Sequence, residues 1–362
     1  MSDTSRLFEP VLIGELALRN RVVMAPMTRS RAVEANTPNA LMAAYYAQRA
    51  GVGLIVTEGT SPSPNGTGYA RIPGLWSAGQ VAGWKKVTDA VHQRGGRIVV
   101  QLMHTGRVGH PFNLPEGAAV LAPSAVAAAG EMYTDRAGPQ PHPVPREMTG
   151  AEVLAAREEF VTAARHAVAA GFDGVELHGA NGYLLEQFLS PQTNRRTDDW
   201  GGSLDGRLRF VLETAQAVAD AIGGGRVGLR LSPYGVNAGM EPYPEIDETY
   251  RTLVRKLVPT GIRYLHLTDH SSMGAPTVPE ALKRELRELW PRTMILCGGF
   301  DRAGAERALA EGHADLIAFG RPVLANPDFV TRIRRGAPLN APDFATFYTP
   351  GPQGYTDYPT VD

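Results

Sequence analysis

Cysteine is almost absent from this sequence, because Cys297 is the single one among 362 residues. One cysteine cannot form an internal disulfide framework, and it cannot supply a thiolate metal cluster. Two histidine pairs, His104 with His110 and His266 with His270, lack cysteine or acidic residues at ligand spacing. We therefore expect no metal site.

The chain also lacks an excess of either charge, since 36 lysines and arginines stand against 37 aspartates and glutamates, a net charge of -1. Nucleic acids and anionic membranes attract a positive excess, so neither is an expected partner. No apolar run reaches the roughly 18 residues of a bilayer span, and the first ten residues do not resemble a secretion signal. These features predict a cytoplasmic protein that acts on a small-molecule substrate, and a monomer and a homodimer both remain open.

What the sequence does contain is an alternation of short β-branched runs and longer amphipathic segments. Eight candidate strands cover 21–27, 53–59, 97–104, 174–180, 226–232, 263–269, 293–299 and 316–322. Candidate helices include 80–94, 151–170, 206–222 and 303–312. The helix over 151–170 has the clearest ends, because Thr149 and Glu152 have capping-box spacing and Gly171 follows its last turn.

This alternation predicts parallel strands, because parallel neighbours need a crossover connection. Eight of them predict an α/β fold, a (β/α)8 TIM barrel that forms one domain over residues 1–362, with an open doubly wound sheet as the alternative. Gly223, Gly225 and Gly228 match GxGxxG, but they precede a strand, whereas a dinucleotide-binding fingerprint follows one. The connection 105–148, after the third strand, is too long for a simple loop, and we expect it to be a lid.

Barrel enzymes carry their chemistry at the C-terminal ends of the strands. Here Gly298 and Gly299 follow the seventh run, and Gly320 and Arg321 follow the eighth. Unobstructed backbone N–H groups beside a guanidinium predict a phosphate site. The alternative is that the glycines only turn the chain from strand to helix.

The fourth and fifth runs carry the other candidate residues. Arg230 lies inside the fifth run, where a buried cation needs an anionic partner, either Glu176 or a cofactor that gains negative charge. In HGANGY, His178 and Asn181 can donate to one ligand oxygen, and Tyr183 can serve as a general acid. The alternative is a histidine bonded to the backbone and a tyrosine packed in the core.

Several longer segments resemble the old yellow enzyme family of FMN-dependent ene-reductases. They are LFEPVLIGELALRNRVVMAPMTRSRA (7–32), GYARIPGLWS (68–77), VQLMHTGR (100–107), ELHGANGYLLEQFLSPQTNRRTDDWGGSLDGRLRF (176–210), AFGRPVLANPDFVTRI (318–333) and FYTPGPQGYTDYP (347–359). The resemblance covers nearly the whole chain. It implies noncovalently bound FMN in a (β/α)8 barrel, with NADPH or NADH as the hydride donor.

The same resemblance implies which residues hold FMN. They would be Pro26, Met27, Thr28, Gly59, Gln101, Arg230, Gly298, Gly299, Gly320 and Arg321. The Thr28 hydroxyl would bond the flavin O4, and the Gly59 backbone and the Gln101 amide would bond the pyrimidine edge. Arg230 would lie by N1 and O2, which become negative on reduction, and the last four residues would hold the phosphate.

The implied reaction is an NAD(P)H-dependent trans reduction of activated C=C bonds by a ping-pong mechanism. His178 and Asn181 would bind the oxygen of the activating group, flavin N5 would deliver hydride to the β-carbon, and Tyr183 would protonate the α-carbon. The acceptors would be α,β-unsaturated carbonyls, maleimides and nitroalkenes, and nitrate esters also fit the resemblance.

Tyr69, Met103 and Tyr348 would line the substrate cavity together with His178 and Asn181. Met103 stands where many relatives carry tryptophan, which predicts a roomier and more pliable pocket on that side. Two other functions are open at this point. One is a flavin-free barrel isomerase or lyase that acts on a phosphorylated metabolite, and the other is a flavin-binding sensor without turnover.

Overall fold

The computed structural model describes residues 5–361, over which strands and helices alternate. The strands are β1 (Val11–Ile13), β2 (Leu16–Leu18), β3 (Val22–Met24), β4 (Leu54–Thr60), β5 (Ile98–Leu102), β6 (Leu121–Ala122), β7 (Glu131–Thr134), β8 (Gly138–Pro141), β9 (Arg146–Glu147), β10 (Gly174–Gly179), β11 (Val227–Leu231), β12 (Tyr264–Thr268), β13 (Thr293–Cys297) and β14 (Leu316–Phe319). The helices are α1 (Ala40–Gln48), α2 (Ala78–His92), α3 (Gly150–Ala169), α4 (Leu184–Leu189), α5 (Leu204–Ile222), α6 (Ile246–Leu257), α7 (Glu280–Leu289), α8 (Arg302–Ala310), α9 (Arg321–Ala325) and α10 (Phe329–Arg335).

Eight of the strands close into a barrel in the order β3, β4, β5, β10, β11, β12, β13 and β14, and β14 pairs with β3. Every pair in the ring is parallel. The (β/α)8 prediction is therefore confirmed, and the open doubly wound sheet is excluded. Each of the eight predicted runs coincides with one barrel strand, and only β4 extends one residue past its run, because parallel strands that are buried on both faces have nearly continuous apolar sequences.

The four predicted helices correspond to α2, α3, α5 and α8. The capping box of α3 is present, since the Thr149 side chain accepts from the Glu152 N–H and the Glu152 carboxylate accepts from the Thr149 N–H at 2.8 Å. Gly171 ends this helix with a φ of 87°. No helix within residues 5–361 is long and apolar enough to cross a membrane.

The barrel interior is apolar at the N-terminal ends of the strands. Ile13 and Leu18, from the antiparallel hairpin β1–β2, pack there with Leu54, Tyr264 and Leu316 of the barrel strands. The hairpin therefore closes this end of the barrel. The polar inward-facing residues lie toward the opposite end, and that end is where the candidate site forms.

The long connection 105–148 carries secondary structure of its own. Within it, β6 pairs in parallel with β9, and β7 and β8 form an antiparallel hairpin. Met132 of β7 packs in a small apolar cluster with Tyr69 and Tyr183. The hairpin therefore lies against the candidate site, and its movement as a lid stays a prediction.

Candidate active site

Strand register brings the polar residues of the barrel interior together. His178 on β10 pairs with Arg230 on β11, and Arg230 pairs with His266 on β12. On the other side of β10, Glu176 pairs with Gln101 on β5. Residues two apart on a strand face the same way, so Glu176 and His178 share one face of β10. These side chains form one polar layer near the C-terminal ends of the strands.

Arg230 is 4% exposed and makes no ion pair with a carboxylate among the described residues. Its Nε donates to the Thr268 hydroxyl at 2.9 Å, and its Nη2 lies 4.0 Å from the Cys297 sulfur. A buried guanidinium with only neutral contacts is costly unless an anion is close by. This position therefore suits a group that carries negative charge.

Glu176, the other candidate partner of Arg230, is engaged elsewhere. Its carboxylate accepts from Gln101 Nε2 at 2.8 Å, from His266 Nδ1 at 2.9 Å and from the Tyr264 hydroxyl at 3.1 Å. Burial raises the pKa of Glu176, but the charges of His266 and Arg230 outweigh burial and leave this pKa below its usual value. Glu176 is thus an ionised anchor for three donors, and it bears on Arg230 only at longer range.

His178 is buried, and its Nδ1 has no hydrogen-bond partner within residues 5–361. Its ring packs edge-on against Tyr183, with 4.8 Å between the ring centroids. Burial and the nearby charge of Arg230 hold the pKa of His178 well below its usual value, so the ring is neutral. Buried polar atoms nearly always have a partner, and the unpaired Nδ1 therefore argues against the backbone-bonded alternative and for a ligand.

Asn181 follows β10 in a left-handed backbone conformation, with a φ of 61°. Its backbone N–H donates to the Ser232 hydroxyl at 2.8 Å, and its Oδ1 lies 2.7 Å from His270 Nε2. Ser232 in turn donates to Glu186 at 3.0 Å, and Glu186 also accepts from the Gly182 N–H at 2.6 Å. Neighbouring groups therefore fix both the backbone and the side chain of Asn181.

Tyr183 and Tyr69 form a pair at the edge of the site. Their hydroxyl oxygens lie 2.9 Å apart. Burial raises the pKa of Tyr183 well above its usual value and the pKa of Tyr69 to about 12, so both hydroxyls keep their protons at neutral pH. Tyr183 also packs in the apolar cluster of Met132. It is thus a packed residue whose protonated hydroxyl lies beside His178.

The turns after β13 and β14 carry the candidate phosphate residues. Gly298 and Gly299 have φ values of 156° and 67°, which favour glycine. Both glycines therefore serve to turn the chain, whether or not they also bind a phosphate. A Cβ added to Gly320 would have a methionine sulfur as its nearest neighbour, at an ordinary van der Waals distance of 3.5 Å. The protein itself therefore leaves the space beside Gly320 open. Arg321 is exposed, and its guanidinium stacks on Phe344 without a carboxylate partner in the described part of the chain. Space and unpaired charge together fit a phosphate group.

The other predicted cofactor residues lie around the same barrel mouth. Pro26, Met27 and Thr28 follow β3 and are half-buried, and the Thr28 hydroxyl has no hydrogen-bond partner among residues 5–361. At Gly59, a Cβ would collide with the Met103 side chain. The polar layer, the free Thr28 hydroxyl and the unpaired Arg230 fit the edge of an isoalloxazine ring.

The predicted substrate residues differ in their placement. Tyr69 lies beside Tyr183, whereas Tyr348 is 59% exposed, with its backbone oxygen held by Arg71 at 2.8 Å. Met103 is only 1% exposed and packs over Gly59. Met103 therefore has almost no exposed surface of its own. It can affect the pocket only by supporting the Gly59 backbone.

Sequence reasoning missed the supporting contacts of the site. It considered His270 only as a metal ligand, although His270 contacts Asn181, and it did not single out Ser232 or Glu186. No group of three or more His, Cys, Asp or Glu side chains within 5–361 could hold a metal ion. His270 and Asn181 are 89 residues apart, so no local motif could have shown their contact.

Comparison with known proteins gives consistent matches over nearly the whole chain. A family model described as the NADH:flavin oxidoreductase / NADH oxidase family matches residues 6–340. A probable flavin mononucleotide-dependent alkene reductase from Leishmania infantum is 41% identical over 358 residues, which cover 98% of this chain and 97% of the relative. The 12-oxophytodienoate reductase 7 of Oryza sativa subsp. japonica is 38% identical over 377 residues, which cover 98% and 94%.

Solved structures agree with these matches. Morphinone reductase superposes with a TM-score of 0.95 at 43% identity, covering 99% of this chain and 97% of that one. The old yellow enzyme homologue from Zymomonas mobilis superposes with a TM-score of 0.92 at 38% identity, covering 98% and 99%. A further structure of morphinone reductase, with a TM-score of 0.93, contains tetrahydroNAD.

Proposed function

This chain belongs to the NADH:flavin oxidoreductase / NADH oxidase family, and from that premise we propose that it reduces activated C=C bonds. The family makes it an FMN-dependent oxidoreductase with a nicotinamide hydride donor. The acceptors we propose are α,β-unsaturated carbonyls, maleimides and nitroalkenes, with nitrate esters as further acceptors. Relatives named as an alkene reductase and a 12-oxophytodienoate reductase support this class.

When bound, FMN would supply the redox chemistry, as the carrier of hydride from NADPH or NADH to the β-carbon of the acceptor. The chain would hold the flavin ring with the Pro26, Met27 and Thr28 segment, the Gly59 backbone and the Gln101 amide. The half-buried Thr28 and the anchoring of Gln101 on Glu176 support this assignment.

Arg230 would carry the charge that the flavin ring requires. Its guanidinium is buried and bonded only to neutral groups, so its positive charge is available to the edge of the cofactor that becomes negative on reduction. Opposite charges in a site of low dielectric attract strongly, which favours the reduced state. For the phosphate, the free space at Gly320 and the unpaired guanidinium of Arg321, together with the turn at Gly298 and Gly299, support the predicted site.

His178 and Asn181 would polarise the acceptor. The neutral ring of His178 can donate one N–H, and the Asn181 amide can donate from its NH2 group. Two donors on the oxygen of a carbonyl or nitro group withdraw electron density from the β-carbon, where the hydride arrives. The unpaired Nδ1 of His178 is the observation that carries this proposal.

Tyr183 would complete the reaction by protonating the α-carbon. Burial keeps its hydroxyl protonated, and the Tyr69 hydroxyl lies at hydrogen-bond distance from it. A proton delivered from the face opposite the hydride gives net trans addition. Tyr69 and Tyr348 would form aromatic walls, Met103 would shape the floor through Gly59, and the hairpin β7–β8 would act as the lid.

Nicotinamide and acceptor would use the same mouth in turn, which is a ping-pong sequence. The proposal places the protein in the cytoplasm, where NADPH and NADH are available, as a monomer or a homodimer. Family membership removes the flavin-free isomerase or lyase from consideration. The flavin-binding sensor remains as the outcome that the following experiment can reveal.

The test is an anaerobic titration of the purified holoenzyme. NADPH or NADH should bleach the flavin absorbance, and 2-cyclohexen-1-one should restore it with formation of one equivalent of cyclohexanone. A flavin that is reduced by nicotinamide but not reoxidised by the enone, N-ethylmaleimide or a nitroalkene would overturn the proposal and indicate a sensor.

A further inference from the structure

His270, in the turn after β12, holds the side chain of Asn181. Its Nε2 lies 2.7 Å from Asn181 Oδ1. An amide oxygen only accepts hydrogen bonds, so the proton must be on His270 Nε2. Burial, and next the charge of Arg230, lower the pKa of His270 to about 4, so the ring is neutral at physiological pH. His270 is therefore a single-proton donor to Asn181.

This hydrogen bond decides which end of the Asn181 amide is free. The amide group is planar, and its NH2 points away from the side that its oxygen occupies. With Oδ1 bonded to His270, the NH2 has no hydrogen-bond partner within residues 5–361. A rotation of 180° about the last side-chain bond would exchange the two ends and present an oxygen in place of a donor.

The turn that carries His270 is itself fixed. Asp269 Oδ1 accepts from the Ser271 N–H at 2.9 Å, and its other oxygen pairs with Lys283 at 2.8 Å. The His270 carbonyl accepts from the Met273 N–H at 2.8 Å. The backbone of Asn181 is held separately by Ser232, so His270 acts on the amide and not on the main chain.

We propose that His270 is a positioning residue that orients the Asn181 amide so that its NH2, and not its oxygen, meets the acceptor. This inference rests on the proposed function, in which Asn181 donates to the acceptor oxygen. Without His270 the amide can rotate, and its oxygen would then repel the acceptor oxygen. The site would lose one of its two donors while keeping its shape.

A double-mutant cycle tests this inference through binding, without turnover. The oxidised holoenzyme is titrated with 2-cyclohexen-1-one in the absence of nicotinamide, and the change in the flavin spectrum gives the dissociation constant. We expect His270→Phe, which keeps a ring but has no donor, to weaken binding about tenfold, as for one lost hydrogen bond. In the Asn181→Ala background the same change should have less than about a twofold effect.

The matched rescue is His270→Gln, whose amide can donate again, and it should bring the dissociation constant to within about threefold of the unmodified protein. An equal effect of His270→Phe in both backgrounds would overturn the positioning role, since a general structural effect does not need Asn181. If Asn181→Ala alone leaves binding unchanged, the proposed function of Asn181 fails, and the inference fails with it.

A measurement on the unmodified chain keeps the test independent of variant folding. ¹⁵N NMR of histidine-labelled holoenzyme, with His270 identified by the loss of its signals in His270→Gln, reports which ring nitrogen carries the proton. We expect the Nε2–H form from about pH 5 upward, because the pKa of His270 is about 4. An Nδ1–H form would overturn the inference.

Discussion

The hydroxyl of Tyr183 lies 2.9 Å from the hydroxyl of Tyr69, and the two rings meet edge to face with 6.2 Å between their centroids. Because both pKa values are raised by burial, one hydroxyl donates to the other and neither ionises at neutral pH. A tyrosine that gives up its proton in this pair can regain one from its neighbour. We therefore propose that Tyr69 and Tyr183 form a two-residue proton path.

We expect Tyr69→Phe to slow reoxidation of the reduced enzyme by an enone about tenfold, because one hydrogen bond to Tyr183 is lost. Flavin reduction by NADPH should not change. Stopped-flow absorbance measures the rates of flavin reduction and of flavin reoxidation. Tyr133→Phe, which removes an exposed hydroxyl on β7, is the matched control. Equal slowing of both half-reactions in Tyr69→Phe would contradict the proton path.

The buried charge of Arg230 should set the reduction potential of bound FMN. Arg230→Met removes the charge, and we expect the two-electron midpoint potential to fall by at least about 30 mV, which corresponds to about 1.4 kcal/mol. Thr268→Val removes only the 2.9 Å contact to Arg230 Nε and should change the potential less. Spectroelectrochemical titration measures both variants, and an unchanged potential in Arg230→Met would contradict the assignment.

Arg321 should recognise the phosphate of FMN and not its ring. We therefore expect Arg321→Ala to weaken FMN binding at least tenfold, as for a lost charge-assisted hydrogen bond, and to leave riboflavin binding nearly unchanged. Arg94→Ala, at another exposed arginine, is the control. Fluorescence titration of the apoprotein with each flavin gives the affinities. If both flavins lost affinity equally, Arg321 would have a structural role instead.

Glu58 should make the protein less stable as the pH rises. Burial raises its pKa to about 7, from an ordinary value of 4.5, although Tyr46 and the Arg29 N–H donate to it at 3.2 Å. The folded state therefore holds a proton that the unfolded state loses above about pH 4.5. The bound proton therefore stabilises the folded state fully below about pH 4.5. This contribution to the free energy of unfolding, about 3 kcal/mol, is lost as the pH approaches 7.

Urea denaturation at several pH values between 5 and 8 measures this dependence. Glu58→Gln should reduce the loss of unfolding free energy over this range by up to about 3 kcal/mol, because glutamine does not titrate. Glu288→Gln, at an exposed position, should keep the dependence of the unmodified chain. An identical pH dependence in Glu58→Gln would show that Glu58 does not titrate in this range.

The barrel could be predicted from the sequence because its strands are short apolar runs, each bounded by polar residues or glycine. The run 21–27, for example, contains β3 (Val22–Met24), and only its ends differ. The α3 helix was equally clear, because its cap is local. The hairpin β7–β8 was not recognised, since β8 contains Pro139 and Pro141, and proline argues against a strand except at an edge.

The site could be predicted only in part. His178, Asn181, Tyr183 and Arg230 follow or lie in recognisable strands, so their position in the barrel follows from the fold. The contacts that orient them join distant parts of the chain, such as Tyr69 with Tyr183, 114 residues apart. Pairings of this kind depend on the closure of the barrel and on loop conformation, and no spacing in the sequence encodes them.

The most direct test of the account is the behaviour of Tyr183→Phe in anaerobic stopped-flow experiments with NADPH and then 2-cyclohexen-1-one. We predict that flavin reduction keeps its rate, and that reoxidation by the enone slows by roughly 10²–10⁴-fold, as expected for a lost general acid. A variant that is reoxidised by the enone as fast as the unmodified enzyme, or that is slowed equally in both half-reactions, would contradict the account.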